Sequence, residues 1–343
     1  MKKVLLAALM MGATLGAKAQ SEWFQNVKFS GYGMVQYQAS DQDEKESNSF
    51  NLRLVRMALE GRAHTDFYWK VQMQINGNTY DPDKSSTDIR LVDLFGEWQK
   101  YEFFKVKAGQ FKRPFTFENP MHPITQGFMS YSQNVSKLAG FSDRCGGNAS
   151  NGRDIGVQIQ GDFLKNAEGR NLLHYQVGAF NGEGINQKDK DNRKDIIGGM
   201  WVMPIKGMRI GAFGWTGSRA GVGEKNRYAL SGEYTQNDWT FRSESIHSQG
   251  WNAAHTSDKA DGIYALCIAP IQKNKLHVKA RYDLYREAKE WGQSKTMYEV
   301  GADYMFTKNL QINLEYARVN DRTIANPDKH NYNMVDVELD FRF

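Results

Sequence analysis

The chain has 343 residues, 44 lysines and arginines against 39 aspartates and glutamates, a formal net charge of +5 and only two cysteines. So few cysteines exclude a disulfide-stapled framework, and so small and scattered a charge excludes the clustered basic patch by which a protein grips nucleic acid. Mean hydropathy is low, −0.64, and beyond the N-terminal stretch no apolar run approaches the roughly 20 residues a membrane helix needs. Aromatics and glycine are nevertheless abundant. Both a membrane β-barrel, in which only alternate residues meet lipid, and a secreted β-protein have this composition, so the order of residues must decide.

Residues 1–19 have the form of a cleaved secretory signal. Lys2 and Lys3 supply the positive start, Val4 to Leu15 a short apolar core, and Ala17-Lys18-Ala19 small residues at the cleavage positions. The mature chain is expected to start near Gln20. Loss of Lys2, Lys3 and Lys18 takes the balance from +5 to +2 (5 − 3). Residues 20–343 then form a single domain.

Strands are expected at 30–38, 51–63, 66–76, 88–99, 102–110, 153–162, 171–180, 194–204, 207–216, 226–236, 238–247, 260–270, 273–284, 296–306, 309–319 and 332–343. The last is the clearest. Val335, Val337, Leu339, Phe341 and Phe343 share one face, and Asp336, Glu338, Asp340 and Arg342 the other, which is strict period-two alternation. The segments 194–204 and 207–216 alternate poorly. Short connections at 64–65, 100–101, 205–206, 237 and 307–308 alternate with long polar ones at 39–50, 77–87, 111–152, 181–193, 217–225, 248–259, 285–295 and 320–331. Bacterial outer-membrane barrels have this asymmetry of short periplasmic turns and long external loops. The expectation is an all-β fold: a 16-stranded antiparallel transmembrane β-barrel whose long third external loop, 111–152, folds into the lumen. A barrel of this size encloses water rather than a packed core, and so long a connection is usually functional.

Parity assigns the wall charges. Arg56, Arg62, Lys70, Lys105, Lys107, Arg242, Lys279 and Arg281 point inward, and the loop adds Lys112, Arg113, Glu118, Lys137 and Arg144. Arginine and lysine rows replace part of an anion's hydration, and the guanidinium fork matches phosphate. The inward acids are at least as numerous: Glu60, Asp93, Glu97, Asp154, Glu233, Glu244, Glu299, Asp303, Glu315, Asp336, Glu338 and Asp340. Three readings follow: paired charges that only keep the channel wet, a phosphate ladder, or a transverse field. Lys112, Arg113 and Glu118 flank Pro114, where phenylalanines 111, 115 and 117 either pin the loop root to the wall or frame a constriction.

Cys145 lies in this loop and Cys267 on inward parity, so a loop-to-wall disulfide is one expectation and two free thiols the other. Trp69, Trp98, Trp239, Tyr298, Tyr304 and Phe306 fall on outward parity near strand ends, as interfacial girdles require; parity does not favour an inward aromatic path for sugars. Asp81, Asp83 and Asp88 suggest calcium, but Ser86 and Val92 stand where an EF-hand needs glycine and glutamate. The run 188–195 reads as a solvated loop. No metal, cofactor or catalytic residue is expected: His122, His247, His255 and His330 lie in or near loops, His174 and His277 point inward, and none sits in a motif.

Two segments, FNLRLVRMALEG (50–61) and VKAGQFKRPFTFE (106–118), resemble the phosphate-selective porin O and P family of bacterial outer-membrane porins. Arg53 and Arg56 match its early strand, although Leu54 stands where a third arginine is frequent; Gly109, Gln110, Phe111, Lys112, Pro114, Phe115 and Glu118 match the entry to its constricting loop. The resemblance implies a trimeric outer-membrane porin passing small hydrophilic solutes, anions such as phosphate among them. A non-selective general porin, an outer-membrane enzyme and an adhesin are the alternatives. Outer-membrane lipid, solute and two further copies of the chain are the partners implied; nucleic acid is not.

Overall fold

The computed structural model describes residues 25–76, 89–146 and 151–343, so the signal segment and the aspartates 81, 83 and 88 lie outside the described residues. Sixteen antiparallel strands follow one another: β1 Gln25–Ser40, β2 Ser47–His64, β3 Phe67–Gln74, β4 Arg90–Tyr101, β5 Phe104–Lys112, β6 Arg153–Lys165, β7 Asn171–Phe180 and β8 Asp195–Val202. The second half comprises β9 Met208–Arg219, β10 Gly223–Gln236, β11 Trp239–Gln249, β12 Lys259–Gln272, β13 Leu276–Arg286, β14 Ser294–Thr307, β15 Leu310–Asp321 and β16 Asn331–Arg342. Each pairs with its sequence neighbours, and β1 pairs with β16 to close the barrel. Closure leaves no strand edge unpaired, which lipid demands of any membrane sheet. All sixteen expected strands form. The expected long connection 217–225 does not, because β9 and β10 continue pairing to Arg219 and Gly223 and leave only 220–222 between them.

The seam explains the chain's end. Gly31 N–H donates to the Phe343 carbonyl at 2.9 Å, and Phe343 N–H returns the bond at 3.0 Å. The Phe343 ring covers Gly31 so closely that a Cβ there would lie 2.4 Å from it.

The two faces of the wall separate as parity requires. Val278, Val300, Leu314 and Tyr316 stand exposed on the outside. Their neighbours Lys279, Glu299 and Glu315 are buried inside. Trp239, Phe241, Tyr304 and Phe306 pack in pairs near the short-turn rim. Their amphipathic rings suit the headgroup boundary. A register shift between β1 and β2 pairs Met34 with Leu54 and Val35 with Leu52, leaving Arg53 as the extra residue of a bulge. The bulge re-aims its side chain, and Arg53 reaches Glu338 on β16 at 3.0 Å.

One parity assignment fails on β12. Its inward row is Tyr264, Leu266 and Ile268, packed against Phe128 of the long connection. Cys267 therefore faces outward, opposite Phe241 and Ala280. The inward row is apolar because it meets protein instead of water, which reverses the usual sign of the pattern. The same cause blurs the alternation of β8 and β9, whose inward residues Ile197, Phe213 and Trp215 belong to the buried cluster around Phe115 and Phe117.

Candidate functional site

The segment between β5 and β6 is anchored at its root by aromatic packing. Phe115 meets Trp215 edge-on at 5.5 Å, and Phe117 meets Phe213 and Trp201 at 5.4 and 5.5 Å. Inward-facing aromatics, which parity did not favour, thus hold the segment to the wall. The Lys112 ammonium donates to the carbonyls of Asn119 at 2.8 Å and Met121 at 2.6 Å, and to the Tyr131 hydroxyl at 2.7 Å. One buried cation so folds 119–131 back onto the strand end.

Glu244 on β11 is the principal anchor. Its carboxylate accepts the backbone N–H groups of Phe117 at 3.0 Å and Glu118 at 2.7 Å, the Tyr264 hydroxyl at 2.8 Å and the Ser231 hydroxyl at 2.8 Å. An ionised acceptor makes such bonds roughly twice as strong as neutral ones. Glu118 itself is fully buried. Burial pushes its carboxyl above the usual range, against the pull of Arg242 at 3.9 Å and the N–H and hydroxyl of Ser132.

Further along, the wall and the segment exchange bonds strand by strand. Lys279 donates to the Gly127 carbonyl at 2.9 Å and pairs with Glu315 at 2.5 Å; Glu315 also accepts Met129 N–H at 2.8 Å. Arg281 donates to the Ser130 carbonyl at 2.9 Å and pairs with Glu299 at 2.5 Å. Asp283 accepts Gln133 N–H at 2.8 Å at the start of a short helix, α1 Gln133–Leu138. Arg227 on β10 donates to the Leu138 carbonyl at 2.9 Å and pairs with Asp143 at 2.6 Å. Burial penalises the Asp143 charge, but Arg227 more than offsets this and holds the carboxyl well below its ordinary range.

The structure thus places most of the expected basic candidates in neutralised positions. Lys105 pairs with Asp162 at 3.4 Å, Lys107 with Glu97 at 3.7 Å, Arg113 with Asp154 at 3.0 Å and Arg242 with Glu233 at 3.2 Å. Arg56 spends its donors on Gln74 and Tyr32, and Arg62 on the Thr65 carbonyl. Lys70 is different: among the described residues it makes no ion pair. It lines a cavity of about 480 Å³ with Lys28, Lys308 and Arg342, which are likewise without ion pairs among the described residues. Glu60, which accepts the Tyr68 hydroxyl at 2.6 Å, lines the same cavity with the terminal residue Phe343. The cavity lies at the end of the barrel that carries the short turns, and His122 of the long connection also lines it.

The two cysteines are free. Cys145 is buried, with its thiol near the Trp251 carbonyl and 3.4 Å from the Arg227 guanidinium, while Cys267 looks out of the barrel, so no disulfide ties segment to wall. In 188–195, Asp189 accepts Asp191 N–H and Asp191 accepts both Arg193 N–H and the Ser218 hydroxyl of β9, while Asp195 is buried on β8, pairing with Lys225 at 2.8 Å and accepting Trp215 Nε1–H at 2.9 Å. No group of residues that could hold a metal ion occurs among the described residues. Sequence reasoning listed Glu244 and Glu315 as wall charges but missed their role as acceptors for loop backbone. The free Lys28 and Lys308 were missed because they sit at a strand start and in a turn.

The profile of the Gram-negative porin family matches residues 6–323. No curated protein matches the chain. Among solved structures it is similar to the anion-selective porin of Comamonas acidovorans, at 13% identity over 93% of this chain and 99% of that one, with a TM-score of 0.68. It is similar also to OmpF of Salmonella typhi in complex with daunomycin (12% identity, 92% and 97% covered, TM-score 0.65). A third is the trimer form of OmpT, an outer-membrane protein of Vibrio cholerae (13%, 93% and 99%, 0.61). Likeness at these identities shows the shared barrel. With its closed sixteen-stranded sheet and a profile match over most of its length, this chain belongs to the Gram-negative porin family and is an outer-membrane channel.

Proposed function

We propose that the protein is a passive diffusion porin for small hydrophilic anions, phosphate among them, with 113–152 lying inside the lumen as its constriction. The cavity lined by Lys28, Lys70, Lys308 and Arg342 carries this reading. The other inward basic residues expected on the wall are cancelled by a carboxylate or spent on neutral acceptors, so these four residues supply the field a passing anion meets at this end. The resemblance to phosphate-selective porins fits the same preference. However, a continuous ladder of free arginines does not, since Arg113, Arg242 and Arg281 are committed to acids and loop carbonyls. Three copies form the working unit, as the trimer form of OmpT does, and residues 1–19 are removed on export. Charge reversal is the test. In planar bilayers Lys28→Glu/Lys308→Glu should move the ion preference toward cations and abolish inhibition of chloride current by added inorganic phosphate. Unchanged preference and inhibition would end the anion reading.

A further inference from the structure

The interior of this barrel is filled to an unusual degree for a diffusion channel. Each of the sixteen strands turns at least one buried side chain inward. Met34, Leu54, Gln74, Ile197, Glu244 and Glu338, drawn from six strands around the wall, are 0–1% exposed. Side chains buried on every strand, polar and apolar alike, are covered by their neighbours, so loop and wall side chains pack against one another around the inner face of the barrel.

The filling is not held equally on all sides. Residues 126–144 are tied to β10, β11, β13 and β15 by the charge-assisted bonds to Arg242, Lys279, Glu315, Arg281, Asp283 and Arg227. Residues 122–125 lie against the opposite side, β1 and β2, and among the described residues they donate no hydrogen bond to a strand and accept none from one. Their hydrogen bonds are internal: Ile124 N–H donates to His122 Nδ1 at 3.2 Å, and Thr125 N–H to the His122 carbonyl at 2.9 Å. Their contact with the wall is apolar. Ile124 packs in a cluster with Tyr32, Met34 and Leu54, and the His122 ring meets Tyr32 at 4.5 Å. Apolar contact is non-directional and carries no unmade hydrogen bond when it separates. Gly127, at a φ of +105°, marks the C-terminal end of this piece, with its carbonyl fixed by Lys279. The piece borders the cavity of about 480 Å³ with its basic lining, to which His122 contributes.

Resting on the reading of 113–152 as a lumen segment, we propose that residues 122–125 form a flap, latched to β1–β2 by Ile124, that shuts the channel. The barrel is closed at rest and conducts when the flap leaves the wall, joining the basic cavity to the space on the other side along β16, β1 and β2. Residues 113–121 and 126–144 stay in place, because their bonds to the wall are directional and charge-assisted.

The test uses the purified full-length protein in planar bilayers, with Ile124→Asp and the milder Ile124→Ala beside the wild type. Heat-modifiable gel mobility serves as the check that each barrel is folded. The flap predicts brief, rare openings in the wild type and an open fraction raised about tenfold or more in both variants, since each removes most of the apolar burial at the latch. A wild type that stays open, indistinguishable from the folded variants, overturns the flap and leaves the porin reading standing. No current from the wild type, from either variant, or from a protein with 122–125 replaced by a Gly-Ser linker overturns the porin reading, and the flap with it.

Discussion

Glu244→Ala tests how the segment is held. The substitution removes the acceptor for two loop amides, for Tyr264 and for Ser231, all buried. Each buried donor left without a partner costs about 1–3 kcal/mol. The two amides alone give roughly 2–6 kcal/mol, and water entering the vacated space returns part of that, so about 3 kcal/mol is a working figure. At about 1.4 kcal/mol per decade this is a hundredfold increase in local opening. Hydrogen exchange followed by mass spectrometry should show amides 115–120 exchanging ~100-fold faster in the variant, with the β11 ladder nearly unchanged. Glu244→Gln, which keeps one carbonyl acceptor, should fall between. Unchanged exchange over 115–120 would refute the claim that this carboxylate roots the segment.

Arg227→Met strands the Asp143 carboxylate in a buried site and should destabilise the connection by about 3–5 kcal/mol, read as proteolytic nicking between 138 and 146 that the wild type resists; equal resistance would contradict the pairing. Partial desolvation against the wall, and then the positive charges of Lys112, Arg342, Arg56 and Lys70, push the His122 pKa down to about 3, although the residue keeps an exposed edge on the basic cavity. Because the unfolded ring titrates near 6.5, the unfolded state binds the extra proton between those values. Stability is therefore full above about pH 6.5 and declines as pH falls toward 3. In His122→Gln, the decline in denaturant midpoint between pH 7 and pH 4 should be smaller, and an identical decline would contradict the downward shift. Finally, alkylation of unfolded protein without reductant should modify both Cys145 and Cys267, whereas a bridged pair would resist.

The sequence carries the barrel because lipid outside and polar surroundings inside impose opposite demands on successive residues. Where that holds, as in Asp336 to Phe343 or Leu310 to Tyr316, parity reads strand, register and facing together. It misleads where the inner row meets protein. Cys267 was placed inward because its small neighbours Ala265 and Ala269 resemble a spacious lumen, while the true inner row of Tyr264, Leu266 and Ile268 resembles a lipid face. For the basic candidates parity gives a side of the wall but not a free charge. Whether Lys279 or Lys70 is ion-paired depends on a carboxylate on another strand, and only the closed sheet brings Glu315 against the first while Glu60, the cross-strand neighbour of the second, accepts the Tyr68 hydroxyl instead.

The zero-current potential of the wild-type protein across a bilayer separating concentrated from dilute potassium chloride is the most direct measure of the central claim. A water-filled channel whose free fixed charge is the cluster of Lys28, Lys70, Lys308 and Arg342 should show openings and a potential with the sign of chloride passing more readily than potassium. A potential of the opposite sign would contradict the anion preference, and a membrane that stays silent with both the wild type and Ile124→Asp would contradict the channel itself.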